Sequence, residues 1–347
     1  MLNSKIKFEI LSAKGWKDYY AIQVVYEWED ILATVLKIPK DTVSIPILDK
    51  IYHQPVNRFL QKFIRRSFLR NYVDISLNYL LRKKKNIYYI NYQLYVIDVV
   101  NHFVYQPNSI PIFIDCFREM VDCIPVLCKK NPLLFVTDYE IFLHLKTKAI
   151  GEKTRFVPLS ISDKYFQGGV PAKKIDVLQM GRQNPVLHKW MLEVTRNYPH
   201  IEYVYAHKKN EVHAYFSTTR GWLTDKTDTR EEFMDFLSTA RISLLSSPGM
   251  DGGDKTRTGG FNPVTPRFYE SAVNYCYLIG RFPDTPDFIY NEVLSVCERP
   301  EDLQQFESLV LKMLSIPFSS QEKYEPFIKK HLTSTIALSI QTELENL

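Results

Sequence analysis

The sequence predicts an α/β protein of two halves, the second a parallel sheet with helices on both faces and the first a further α/β layer structure. Three observations carry this. From 173 to 280, short apolar runs alternate with amphipathic stretches, the rhythm of a parallel sheet with helices on both faces. The 347 residues are enough for two domains, each with its own core. Between the halves lies "PLSISDKYFQGGVPAKK" (158–174), a polar stretch broken by Gly168, Gly169 and Pro171 that reads as a linker. The expected division is 1–168, 169–325 and a final helix over 326–347.

The elements follow in order. In the first half "KFEILSA", "IYYINYQLYVIDVV", "IPIFIDC" and "PLLFVTD" read as strands, and "YEIFLHLKTKA" as a helix. In the second, "KKIDVLQMG" is a short apolar run of strand length. "PVLHKWMLEVTRN" sets Leu187, Trp190, Met191 and Val194 on one helical face. "HIEYVYA" is a strand. "TREEFMDFLSTA" opens with Thr229 and Glu232 at capping-box spacing. "RISLLSS" is a strand stopped by Pro248-Gly249. A helix capped by Thr265 with Pro266 at its first position comes next, then the strand "YLIG". Two tail helices follow. One carries Phe306, Leu309, Val310, Met313 and Leu314 on a stripe. The other runs from about Tyr324 to Leu344.

With 45% hydrophobic and 24% charged residues the chain is a soluble globular protein, not a disordered one. The opening "MLNSKIKFEIL" has no apolar stretch of signal-peptide length, and no run of about 18 apolar residues spans a membrane. Five cysteines, none spaced as CxxC, read as reduced thiols of a cytoplasmic protein without a zinc site. The net charge of +5 suits a phosphorylated ligand but is too small to argue for nucleic acid.

The chemistry gathers in "DGGDKTRTGGFNPVTPRFYESAVNYCYLIG" (251–280). A glycine-rich loop with Lys255 and Arg257 feeds a helix N-terminus, a place for an anion. Arg267, Glu270, Ser271 and Asn274 share one face of that helix. A carboxylate one turn in can accept two hydroxyls, as from a ribose diol. The plain alternative is a surface Arg267–Glu270 pair of little consequence.

These segments, with "VLQMGR" (177–182) and "GWLTDKTDTREEFMDFLSTARISLLSSPG" (221–249), resemble a glycosyltransferase of the GT-B fold. The pattern is most similar to the spore-maturation-type (CgeB-like) branch, and more loosely to the large retaining group 1. The resemblance implies two Rossmann-like, doubly wound domains facing across a cleft, a C-terminal helix crossing back to the N-terminal one, a nucleotide-diphosphate sugar as substrate, no cofactor and no obligatory metal. It implies that Glu270 holds the ribose, that Trp222 and Leu223 border the base, and that Arg182 faces the diphosphate. Lys255, Arg257 and Arg267 are then the candidates to stabilise the leaving group, and Gly15 lies in the acceptor loop. Two positions depart from the retaining pattern: Asn262 stands where a second glutamate is usual, and Lys189 lies beyond the usual lysine.

No Asp-x-Asp occurs; Asp251/Asp254 and Asp225/Asp228 come nearest. A base for an inverting transfer would come from the first half, with His102 and Asp115 as candidates beside Asp98 and Asp138. The basic amphipathic stretch 57–85 suits peripheral contact with an anionic membrane face and a saccharide or lipid-linked acceptor. An ordinary surface helix is the commoner reading. The expected activity is sugar transfer to a hydroxyl in polysaccharide or glycoconjugate synthesis. The alternatives are an inactive nucleotide-sugar-binding protein and a DNA-modifying glucosyltransferase.

Overall fold

The computed structural model describes residues 6–12, 20–42, 87–94, 107–116, 121–166, 169–181, 183–209, 212–223, 227–252, 259–317 and 324–347. Among them the chain builds two sheets. The first holds β1 (Lys7–Ser12), β2 (Lys40–Thr42), β3 (Ile87–Leu94), β4 (Ser109–Ile114), β5 (Leu134–Val136) and β6 (Thr154–Phe156). Its order is β2-β1-β3-β4-β5-β6, parallel throughout. The second holds β7 (Ile175–Gln179), β8 (Tyr203–Lys209), β9 (Val212–Ser217), β10 (Gly221–Trp222), β11 (Ala240–Ser246), β12 (Tyr277–Arg281) and β13 (Cys297–Glu298). Its order is β10-β9-β8-β7-β11-β12-β13, with β9 and β10 antiparallel at one edge and the rest parallel.

Both sheets are covered on two faces, which is why their strands are apolar runs and not alternating ones. In the first sheet Ile110, Ile112 and Phe135 face α1 (Tyr20–Leu36) and α10 (Thr333–Glu345). Their neighbours Phe113, Leu134 and Val136 face α2 (Ile124–Leu127) and α3 (Tyr139–Lys146). In the second sheet Val177, Ile242 and Ile279 pack on α4 (Pro185–Asn197) and α8 (Leu303–Ser315). Leu178, Leu245 and Leu278 pack on α5 (Arg230–Ser238) and α6 (Pro266–Val273). The period-2 direction of strand side chains assigns each residue to its layer.

The capping box at Thr229 and Glu232 is present in full, and Asn184 caps α4 by accepting from Val186 and Leu187 N–H at 3.1 and 3.0 Å. Thr265 occupies the cap of α6 but makes no side-chain cap bond. The strand expected at "HIEYVYA" is the first arm of a hairpin, with β9 returning beside it.

The helix expected from Tyr324 to Leu344 is two helices, α9 (Glu325–Lys330) and α10, broken at His331–Leu332. The linker causes the break. Ile161 N donates to His331 O and Thr333 N donates to Ile161 O, each at 2.9 Å, so the two crossings of the chain pair side by side. Asp163 then accepts from Ser334 N at 3.0 Å and from the Ser334 hydroxyl, capping α10 from outside. The α9 residues Phe327 and Ile328 belong to the core of the second half, whereas Ile336, Ala337, Ile340 and Leu344 of α10 lie against the first. The N-terminal part of α1 crosses the other way: Ile22, Val25 and Trp28 join the core around α5 and α6, and Trp28 Nε1 donates to Ser160 O at 3.0 Å.

Candidate functional site

The second sheet has a topological switch point between β7 and β11. The chain leaves β7 toward β8 on one side and returns to β11 on the other, which opens a crevice at the strands' carboxyl ends, where ligands of such sheets sit. Gly181 ends β7 with φ +73°, a conformation glycine adopts without strain. A Cβ there would lie 3.3 Å from Arg267 Nη2, so the guanidinium from the first turn of α6 rests against this turn. The Arg267 guanidinium carbon lies 4.1 Å from the centre of the Phe233 ring, and Nη1 lies 3.4 Å from Glu270 Oε2.

Glu270 does not face an opening: it is 3% exposed. Its Oε1 accepts from Arg230 Nη1 at 2.5 Å. Arg230, the first residue of α5, is itself buried and is anchored on α1. Its backbone N–H donates to Gln23 Oε1 at 2.8 Å, and its Nε lies 3.5 Å from Glu27 Oε2. Glu27 Oε1 also receives Tyr165 OH at 2.6 Å and Lys164 Nζ at 2.7 Å. Burial opposes the charge on Arg230, but Glu270 and Glu27 outweigh it and hold the guanidinium above its ordinary pKa. Three buried atoms of this cluster make no hydrogen bond: Arg230 Nη2, Arg267 Nη1 and Glu270 Oε2. Buried polar atoms are seldom left so. Arg267 Nη1 and Glu270 Oε2 face each other at 3.4 Å, an ion pair that falls short of hydrogen-bond geometry. Sequence reasoning missed Arg230 and Glu27, although Arg230 directly follows the capping threonine.

The glycine loop is fixed at its start. Asp251 pairs with Arg281 through two bonds, 2.5 and 2.8 Å, and accepts from Asn184 Nδ2 at 2.9 Å. It therefore serves as the partner of Arg281 that fixes the start of the loop. Asn262 donates its backbone N–H to Glu140 Oε2 at 3.0 Å, tying the loop's end to α3 in the other half. Arg182, Lys255, Arg257, Gly15, His102 and the stretch 57–85 lie outside the described residues. Asp115 ends β4 in a left-handed conformation, φ +50°.

Trp222 and Leu223, expected together beside a base, lie on opposite faces of their sheet. Trp222 is 42% exposed and meets Phe216 and His207 on the side of α4. Leu223 packs against the core around α5, on the side of Arg267 and Glu270. Successive residues of an extended chain point oppositely, so both cannot line one pocket.

A second polar cluster joins the halves. Asp287, in the first turn of α7 (Pro286–Tyr290), accepts from Tyr139 N at 2.8 Å and from Val264 N at 2.6 Å. Asp138, the cap of α3, is its buried neighbour, and Asp138 Oδ2 has no hydrogen bond. Burial pushes Asp287 up to about 6. Burial, then the Asp287 charge, raises Asp138 well above the carboxylate range. In the first sheet, burial pushes Glu29 of α1 to about 7 against the lowering effect of its Ser12 hydrogen bond and Lys40.

No protein-family model and no curated protein matches the chain. Solved structures do. A glycosyltransferase from Rickettsia africae ESF-5 superposes with a TM-score of 0.53 at 8% identity, over 99% of this chain and 98% of that one. A structure described as a putative UDP-N-acetylglucosamine 2-epimerase from Listeria monocytogenes gives 0.53 at 10%, over 99% and 98%. The pneumococcal O-GlcNAc transferase GtfA, in complex with UDP and GlcNAc, gives 0.50 at 10%, over 80% and 60%. At such identities the likeness is one of fold, and that fold is GT-B.

Proposed function

We propose that the chain binds a nucleotide-diphosphate sugar at the β7–β11 crevice and transfers the sugar to an acceptor hydroxyl. One observation carries the reading: Arg267, one helical turn before Glu270 and 3.4 Å from its carboxylate, lies against the Gly181 turn at the switch point. Glu270 receives the ribose diol. Arg267 and the start of α6 face the diphosphate, with Arg182, Lys255 and Arg257 as further cations of the same loops. Leu223, not Trp222, borders the base. Helix N-termini and arginines neutralise a leaving diphosphate without a metal, so this reading requires none. The saccharide or lipid-linked acceptor meets the first half, with 57–85 as its membrane contact. No described helix is long and apolar enough to cross a membrane.

Thermal shift against UDP, GDP, ADP, dTDP and their sugars tests this, since a ligand at a hundred times its dissociation constant adds about 2.7 kcal/mol. One diphosphate is expected to raise the midpoint, and Glu270→Gln to abolish the shift. Product analysis with a sugar acceptor then reads transfer. Because an epimerase superposes as well as a transferase does, a sugar nucleotide isomerised without acceptor is the result that reassigns the reaction. A panel in which nothing shifts the midpoint overturns the reading.

A further inference from the structure

We infer that the face formed by α3, α7 and the turn after α7 docks on an anionic lipid bilayer. The inference uses neither Arg267 nor Glu270 and stands apart from the transferase reading. Among the described residues eight large apolar side chains are exposed, and four of them, Leu143, Ile289, Tyr290 and Leu294, lie on these elements. Ile289 is 62% and Leu294 52% exposed. Rings join the two helices into one surface. Tyr139 stacks on Tyr290 with centres 4.4 Å apart, and the Phe156 ring of β6 meets both edge-on, at 5.0 and 4.8 Å. Phe142 adds a fourth ring, 5.7 Å from Tyr139. Tyr139, Phe142, Leu143 and Lys146 fall at i, i+3, i+4 and i+7, so they share one side of α3, while Ile141 and Leu145 enter the core. Apolar side chains scattered singly over a surface are ordinary; a contiguous set marks a contact.

Charge selects the occupant. Lys146 Nζ lies 5.4 Å from the centre of the Phe142 ring and Lys330 Nζ 5.9 Å from that of Tyr290, and Lys148 is exposed just beyond α3. The acids of the same region are engaged. Glu140 accepts from Asn262 N, and Asp287 from Tyr139 N and Val264 N. Glu292 pairs with Lys330 at 2.8 Å, and Asp284 with Arg299 at 2.5 and 3.0 Å. The charges of Lys146 and Lys148 are therefore not cancelled by the acids of these helices. Protruding Ile and Leu suit the acyl boundary, Tyr the headgroup level and Lys the lipid phosphates. A second copy of the chain meeting this face through a twofold axis would set the same lysines against each other. Because Glu140 and Asp287 also hold the backbone at 262 and 264, a bilayer docked here borders the end of the glycine loop.

Co-sedimentation of the full chain with phosphatidylcholine vesicles containing about a third phosphatidylglycerol decides it. The wild-type chain is expected to sediment, and to be released as salt screens the phosphates. Ile289→Asp/Leu294→Asp is expected to weaken binding at least about tenfold. Both side chains are exposed, and an unchanged melting temperature confirms that the variant is folded. Leu338→Asp makes the same kind of change at an exposed position of α10, on the opposite side of the first sheet, and is expected to bind as the wild type does. Lys146→Gln is expected to weaken binding about fivefold on these vesicles and not at all on pure phosphatidylcholine. Equal sedimentation of the wild-type chain and the double variant overturns the proposal and leaves 57–85 as the membrane contact. An equal loss in Leu338→Asp also overturns it, since charge alone then explains the effect. So does a wild-type chain that stays in the supernatant; a dimer seen by light scattering and dissolved by the double variant would then give the face to a second copy.

Discussion

Two polar seams tie the halves together, and they are built in opposite ways. The Arg230–Glu270 seam balances two arginines against two glutamates. The Asp138–Asp287 seam brings two acids together with no cation among its named partners and relies on the backbone N–H groups of Tyr139, Val264 and Ile141. The first answers to whatever competes for a carboxylate. The second answers to protons. On the proposed function the first seam is the one a nucleotide would disturb, and the second, with its raised Asp287 and Asp138, is the one pH would disturb.

The largest way to break this comparison is Glu270→Ala. It leaves Arg230 buried with only the more distant Glu27, and loss of one partner of a buried pair costs about 3–5 kcal/mol. Urea unfolding measures it. The double variant Arg230→Met/Glu270→Met is expected to recover most of that, because apolar replacement of a whole buried pair is often neutral. A double variant as unstable as the sum of the two single changes contradicts the balanced seam.

The acid seam predicts a pH dependence of defined sign. A carboxyl whose pKa is raised by folding stabilises the fold below its ordinary value, near 3.8. That contribution is lost as pH climbs through about 6, the value for Asp287. Asp138→Asn keeps a good helix cap and removes one of the two acids. It is expected to flatten the fall of the melting temperature across that window and to add about 1–3 kcal/mol above it. An unaltered slope places the titration elsewhere.

Thr229→Ala removes the capping box that sets where α5 begins and so where Arg230 points. It should cost about 1 kcal/mol by urea unfolding. Arg196→Ala, which breaks an exposed pair with Glu193 far from both seams, should change stability by less than about 0.5 kcal/mol and leave nucleotide binding untouched. A larger effect there would mean that surface pairs, not seams, hold the fold.

Most of the second half was legible because its signals are local. The helix bounds of α4, the capping box of α5 and the strand–helix rhythm each depend on a few neighbouring residues. The break at His331 was not. Phe327, Ile328, Leu332, Ile336 and Ile340 keep an unbroken helical stripe, and only the linker pairing at Ile161 reveals the interruption. The glycosyltransferase resemblance pointed to Arg267 and Glu270; the structure sets Arg267 against the Gly181 turn and leaves Glu270 buried, without an opening before it. It could not reveal the cover over Glu270, because Arg230 is 40 residues distant in the chain and Glu27 is more than 200 from Arg230. Trp222 and Leu223 were read as one loop because adjacency in sequence hides the opposite faces of an extended strand.

A crystal structure with a bound nucleoside diphosphate tests the site most directly. Ribose hydroxyls on Glu270, with the diphosphate at the Gly181 turn, is the predicted result. A nucleotide bound elsewhere, with the Arg230–Glu270 pair intact, contradicts it.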